Sequence, residues 1–515
     1  MTETAEAALR RSEAPDAESD QSWTAQRPIA VPVLLLLLAM VILRCWVAGH
    51  MDLETDEAYY WLWSRRLAAS YFDHPPMIAY LIRLGTVLFG DTVFGVRSMA
   101  IAAMIVASAL VYALTVILFD DRRLGLMATL WFNMMPHTAF FSIVMYPDTP
   151  AILFWLLCCV ALALVWKSGR GEWWYLGGAG MGLLLLSKYT GVFLLGGIVI
   201  WLSASRQMRC WLKRREPYIA GLIALFLFSP VILWNAEHHW ASFAKQVGHA
   251  LDSSAEGGIA NLGAFVGVQV LFVSPLIFAF AVAGLVVATS RGLAGQKANW
   301  LLLAVAAAPV LLYFLVHALS APVLAQWPSA AYAVAVIAGV VAFAARRQAP
   351  RQGTLVRFGF VAAPWTALAF TLVLLAQMTV RPLPVLAARD PLNIFAGWAQ
   401  LVSDTRAVAT AHHAGYIVGA DYDTTAELMF YQREIPVFQS SETIRYAFLP
   451  PIDQTLMAHG SGIYLTPPPF ADLPEIEKHF KSVELVSTIW RGRDGDPIKP
   501  YRIYELKGYL GGVPY

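Results

Sequence analysis

Segment 50–76, HMDLETDEAYYWLWSRRLAASYFDHPP, sets Asp52, Glu54, Asp56, Glu57, Asp73 and His74 among Tyr59, Tyr60, Trp61, Trp63, Tyr71 and Phe72. Ionised carboxylates accept hydrogen bonds from hydroxyl groups, and aromatic rings stack on sugar faces, so this mixture suits sugar binding. The plain structural alternative is an aromatic belt at a membrane interface with solvated acids beside it. Asp148 lies in Tyr146-Pro147-Asp148-Thr149-Pro150 at the start of an apolar run. There an acid can also serve simply as a helix cap, with proline in the first turn. Lys188, in Ser187-Lys188-Tyr189-Thr190, sits between two apolar runs, where a lysine either snorkels to the interface or holds a phosphate. Glu237, His238 and His239 follow Asn235 and raise metal binding, yet their spacing matches no compact site. His317 and Gln326-Trp327-Pro328 read by default as packing residues.

The elements that must hold these residues are apolar. Of 515 residues, 58% are hydrophobic and 14% charged, against roughly 25% charged in a typical soluble protein. That composition excludes a disordered chain and a wholly soluble one. The formal net charge of +2 gives no reason to expect a nucleic-acid partner. Cys45, Cys158, Cys159 and Cys210 show neither metal-ligand spacing nor a disulfide framework. Residues 1–28 are polar and lack apolar periodicity, so they are expected as a disordered cytoplasmic tail. Apolar runs follow at 30–49, 95–118, 124–142, 148–166, 173–187, 190–204, 218–235, 262–288, 299–316, 329–345 and 357–379, predicting eleven spans. Stretch 77–90 is short and carries Arg83, so it is expected to lie on the membrane surface.

With the N-terminus inside, the inner segments hold 18 Lys and Arg (among them Arg122, Arg123, Arg209, Lys213, Arg346, Arg347 and Arg351). The outer loops hold five: Arg65, Arg66, Arg83, Lys188 and Lys245. This asymmetry agrees with the positive-inside rule. From about 381 the chain becomes polar; Gly415–Val418 and Glu484–Ile489 alternate like strands, and Ala426–Tyr431 reads as a helix. The expected architecture is an α-helical polytopic membrane protein of about eleven spans plus juxtamembrane helices. Its membrane domain covers 29–380, with 50–94 as the first outer loop, and a small outer α+β domain covers 381–515. On this topology Asp56, Asp73, His74, Asp148, Lys188, Glu237, His238 and His317 all fall on one side of the membrane. Acids with Lys and His beside apolar spans are what glycosyl transfer from a lipid phosphate requires. A carboxylate deprotonates the acceptor hydroxyl, and cations stabilise the departing phosphate.

Asp56-Glu57-Ala58-Tyr59-Tyr60, Tyr71-Phe72-Asp73-His74-Pro75-Pro76, Leu88-Phe89-Gly90 and Phe94-Gly95-Val96-Arg97 together resemble the GT-C glycosyltransferases. The likeness is to the family 39/83 branch, with the bacterial lipid A aminoarabinose and lipopolysaccharide galacturonic acid transferases and the protein O-mannosyltransferases. It continues at Tyr146-Pro147-Asp148, Leu186 to Gly191, Pro230 to Trp240, Trp327-Pro328 and Ala426 to Tyr431, most of the chain. The resemblance implies Asp56 as catalytic base, with Glu57 beside it and Asp148 in support. It places His74 at the donor phosphate, where Lys188 and Arg97 are further candidates; Asp73, Tyr60, Glu237 and His238 are the candidate substrate contacts. His74 stands where the aminoarabinose transferases carry a lysine, so phosphate binding there is expected to depend on pH. Tyr59 stands where they have an arginine; the two departures argue against assuming an aminoarabinose donor. The implied partners are a polyprenyl-phosphate (undecaprenyl-phosphate) sugar donor, a lipid A or lipopolysaccharide-core acceptor, and membrane lipid. The implied place is the bacterial inner membrane. No cofactor is assigned; a divalent metal is left open. The alternatives are protein O-mannosylation on the same fold and, in a different class, a transporter or lipid flippase.

Overall fold

The computed structural model describes residues 16–251, 258–344, 353–383, 389–470, 473–493 and 495–512, with side chains described outside 16–29 and 249–251. The first helix, α1, runs Asp16–Gly49, so residues 16–28 of the expected disordered tail are helical. Residues 1–15 of that tail, and the inner-loop Arg346, Arg347 and Arg351, lie outside the described residues.

Among the described residues, seven helices or helix segments are long and apolar enough to cross a bilayer. They are Ala30–Gly49 of α1, α4 (Val93–Phe119), α7 (Asp148–Ser168), α10 (Glu216–Glu237), α13 (Pro275–Leu293), α14 (Ala298–His317) and α16 (Thr354–Thr379). About 20 residues at 1.5 Å each match a 30 Å hydrocarbon layer. Helices α8 (Trp173–Leu185), α9 (Val192–Ala204), α12 (Gly258–Val273) and α15 (Ser329–Ala344) are apolar but shorter.

Two predicted spans are each divided in two. Run 124–142 becomes α5 (Arg122–Met134) and α6 (Pro136–Ile143). Run 262–288 becomes α12 and α13, parted at Ser274. Each break precedes a proline, whose ring drives the residue before it out of helical conformation; Met135 is extended (ψ 138°) and Ser274 has φ 79°.

Between the first two spans lie α2 (Thr55–Arg65) and α3 (Met77–Phe89). Helix α3 buries Ile78, Ala79 and Ile82 while exposing Leu84, Val87 and Leu88. It packs closely on α4: a Cβ on Gly85 would stand 2.3 Å from the Gly95 carbonyl oxygen, so only glycine allows this approach.

The C-terminal region is the expected α+β domain. Its helices are α17 (Trp398–Ala411), α18 (Tyr422–Tyr431), α19 (Gln454–His459) and α20 (Leu473–Glu477). Its strands are β1 (Tyr416–Gly419), β2 (Val437–Gln439), β3 (Gly462–Thr466), β4 (Phe480–Arg493) and β5 (Asp496–Tyr509). The sheet order is β2-β1-β3-β5-β4, parallel from β2 to β3 and antiparallel beyond. β1 and β3 are buried throughout, as parallel strands covered on both faces must be. Leu401 and Leu428 cover one face and Met457 and Ile476 the other.

This domain is fastened to the α2 region. The Leu53 amide donates to Tyr431 Oη (2.9 Å), the Trp398 amide donates to Asp52 Oδ2 (2.8 Å), and Trp61 meets Phe430 edge-on at 5.1 Å.

Candidate active site

Three acids open α2 and take separate directions. Glu54 caps the helix, accepting from the Asp56 amide (2.9 Å), and Glu57 reaches back to the Glu54 amide (3.1 Å), a reciprocal capping box. Asp56, between them, faces a cavity of about 380 Å³ at one end of the helical bundle. Asp73, His74 and Tyr60 enter it from the same loop region, Asp148 from the start of α7, and Lys188 from the turn after α8. His317, Gln326 and Trp327 close the far side. Six of the ten expected site residues therefore meet in one place: Asp56, Asp148, Lys188, His74, Asp73 and Tyr60.

The other four do not. Arg97 is wholly buried and its five N–H groups are spent. Nε and Nη2 hold Glu57 (2.9, 3.1 and 2.5 Å), while Nη1 and Nη2 hold the carbonyls of Ala48, Met51 and Asp52. Glu57 accepts further from the Met145 amide (2.9 Å). The pair is an internal strut that ties α2, α4 and the approach to Asp148. That corrects the expectation of Arg97 at the phosphate and Glu57 in the chemistry. Glu237 and His238 sit exposed at the end of α10, where His238 stacks on Trp234 at 4.0 Å. They do not line the cavity. His239 and Trp240 take positive φ (54° and 59°) and reverse the chain, with the Trp240 amide bonded to the Asn235 carbonyl (2.7 Å). The next helix, α11 (Ala241–Leu251), brings Lys245 and Gln246 to the cavity instead.

Lys245 is one of three contributors that local sequence patterns miss; the others are Tyr422 and Arg445, from the C-terminal domain. Asp73 Oδ1 accepts from Lys245 Nζ and from Arg445 Nη1 (2.8 Å), and Oδ2 accepts from Tyr59 Oη (3.0 Å). Burial pushes the Asp73 carboxyl up, but Lys245 and Arg445 outweigh it and hold it below its usual value. Asp56 shows the opposite balance. Burial and the neighbouring Asp73 charge raise it, and the hydrogen bond from Tyr422 Oη to Oδ1, with Arg445 and Lys245, counters only in part. Lys188 Nζ donates to Asp148 Oδ1 (2.7 Å), with both side chains nearly buried. Among the described residues, no group of three or more His, Cys, Asp and Glu gathers where it could hold a metal, and Glu237 and His238 belong to no such group.

His74 behaves otherwise than its type suggests. Burial first, then the charges of Lys188, Lys245 and Arg445, push it down to about 3, against the pull of Asp73. A histidine held that low is neutral near pH 7, which runs against the expectation of a pH-sensitive phosphate contact. The affinity for a phosphate-bearing donor should therefore not fall through loss of a His74 proton between pH 5.5 and 7.5. A His74→Gln chain, which has no imidazole to titrate, should show the same pH dependence in a binding titration. A weakening across that range confined to the His74 chain would contradict the neutral state.

Three comparisons bear on this geometry. Residues 73–234 match the model of the family described as dolichyl-phosphate-mannose-protein mannosyltransferase. The lipid A galacturonosyltransferase RgtD of Rhizobium johnstonii is 27% identical over 330 residues; the match spans 60% of this chain and 64% of that protein's length. The solved structure of ArnT from Cupriavidus metallidurans in the apo state superposes with a TM-score of 0.60, covering 92% of this chain and 98% of ArnT at 14% identity. The chain has the ArnT fold. ArnT bound to undecaprenyl phosphate gives a TM-score of 0.63, with 92% and 97% covered, again at 14% identity. The GT-C fold expected from the first-loop motifs is thus found, in a multi-pass membrane protein with the small C-terminal α+β domain. On this frame the cavity lies where α2, α11 and the starts and ends of spanning helices converge, and the C-terminal domain touches two of its acids, through Tyr422 on Asp56 and Arg445 on Asp73.

Proposed function

We propose that the cavity is the reaction site of an inverting glycosyltransferase, which moves a sugar from a polyprenyl-phosphate donor to a hydroxyl of lipid A or the lipopolysaccharide core. The observation that carries the reading is the placement of Asp56. It faces the same cavity as Lys188 and Lys245, beside Arg445, so a proton acceptor and cations for a phosphate border one space. Asp56 takes the acceptor proton as the acceptor oxygen attacks the anomeric carbon. The bond from that carbon to the phosphate oxygen breaks, and its electron pair leaves with the polyprenyl phosphate. Attack opposite the leaving group inverts the anomeric centre. The cations stabilise the charge that gathers on the phosphate, and more strongly in a site that excludes water. Asp148 holds the Lys188 ammonium in place.

Undecaprenyl phosphate as carrier is supported by the ligand in the ArnT complex, and lipid A as acceptor by the activity named for RgtD. The charge asymmetry of the loops supports an N-terminus in the cytoplasm and the 381–515 domain in the periplasm, in the inner membrane of a bacterium. Protein O-mannosylation is the second reading, favoured by the family match over residues 73–234.

The test is purified protein in lipid nanodiscs with lipid A and a panel of undecaprenyl-phosphate-linked galacturonic acid, aminoarabinose and mannose. Lipid A should gain the mass of one sugar with one donor, with stoichiometric release of undecaprenyl phosphate. Donor left intact with lipid A present would overturn the reading; transfer to a protein acceptor instead would favour the second.

A further inference from the structure

The C-terminal domain sends one side chain to the proposed base. Tyr422, the first residue of α18, donates its phenolic hydrogen to Asp56 Oδ1. The ring is fixed from several sides: Tyr59 packs edge-on at 5.5 Å, the Arg445 guanidinium lies 4.6 Å over its face, and Tyr446 Oη donates to the Tyr422 carbonyl (2.9 Å). Arg445 is itself tied to Asp73 (2.8 Å), and Tyr59 Oη lies 2.7 Å from the Arg445 carbonyl oxygen. We propose that Tyr422 is a positioning residue for the transfer: held by the C-terminal domain, it anchors one oxygen of Asp56 and turns the other toward the acceptor hydroxyl. A carboxylate bound through one oxygen keeps a single orientation, and proton transfer depends on that geometry before it depends on pKa. The domain thereby completes the reaction centre. This inference rests on the reading of Asp56 as base.

The same hydrogen bond bears on when Asp56 is ionised. Burial and Asp73 hold its pKa high, while Tyr422, Arg445 and Lys245 draw it down. Glu54 on the preceding turn, Tyr60 on α2, Tyr146 before α7 and Asp423 on α18 also face it. Loss of a donor to the charged form raises a carboxyl pKa, so the acidic limb of the rate profile should move to higher pH.

The experiment measures transfer from pH 5 to 9 for the full-length protein and for Tyr422→Phe, Tyr431→Phe and Asp56→Asn chains. Tyr431→Phe is the docking control, since it removes a different contact between the domains, the one at the Leu53 amide (2.9 Å). In Tyr422→Phe, kcat should fall roughly tenfold to a hundredfold, as for loss of one orienting contact in acid–base catalysis. The acceptor KM should stay within about twofold, and the acidic limb should rise by about half to one pH unit. Tyr431→Phe should keep the wild-type profile. A wild-type rate and profile in Tyr422→Phe, with Asp56→Asn inactive, would overturn the inference alone. Equal losses in both tyrosine variants without a profile shift would reduce Tyr422 to a docking contact and overturn it too. An active Asp56→Asn chain would overturn the base assignment itself.

Discussion

Asp56→Asn should lower kcat by about 10²- to 10⁴-fold, the range ascribed to a general base, with donor affinity unchanged or slightly tighter. Asparagine keeps the shape of the side chain, and its carbonyl oxygen still accepts from Tyr422, so the seam between α2 and α18 stays closed. What is lost is the proton acceptor, together with one negative charge facing the space proposed for the phosphate. Because the change acts in the transition state, kcat and kcat/KM should fall together. Single-turnover transfer with saturating donor, beside a donor-binding titration, measures both. A kcat within about threefold of wild type would remove Asp56 from the mechanism and shift attention to Asp148.

Arg97→Met should cost the protein its fold rather than its donor affinity. The Glu57 carboxylate would be left with no cation at a site without solvent access, and the carbonyls of Ala48, Met51 and Asp52 would lose their donor. Breaking a buried pair by removing one partner costs about 3–5 kcal/mol, a large part of the 5–15 kcal/mol that typically holds a protein folded. Arg97→Lys should rescue little, because a single ammonium, with three N–H groups in place of five, cannot span Glu57 and the three carbonyls. Glu57→Met combined with Arg97→Met should recover part of the loss, since it removes the stranded charge. Detergent-solubilised yield and Tm decide the matter. A well-folded Arg97→Met chain with a raised donor KM would return Arg97 to the phosphate.

These two residues show where the sequence is readable and where it is not. Asp56 and Glu57 are adjacent acids in one motif, and type and spacing cannot tell them apart. The helical turn does, pointing one to the cavity and the other to the interior. Residues that act near their own motif were legible: Asp73, His74, Asp148 and Lys188 all reach the cavity. The charge state of His74 was not, since it depends on Lys245 and Arg445, which approach from 171 and 371 positions further on. Lys245, Tyr422 and Arg445 sit in no recognisable pattern; only tertiary docking brings them in. Glu237 and His238 looked the better candidates in their loop, but a left-handed turn at His239 and Trp240 sends the chain back and leaves them outside. The strands and helix of the C-terminal domain followed their periodicity. The span pattern was less secure: runs 124–142 and 262–288 were read straight through Pro136 and Pro275, where the helices break.

Transfer to lipid A or core oligosaccharide through Asp56 is tested most directly by mass spectrometry of both from a deletion strain of the source organism, complemented in turn with the wild-type gene and with Asp56→Asn. It predicts one sugar residue missing from the deletion strain, restored by the wild-type gene and still missing with Asp56→Asn. Lipid A and core of identical mass in all strains would contradict it.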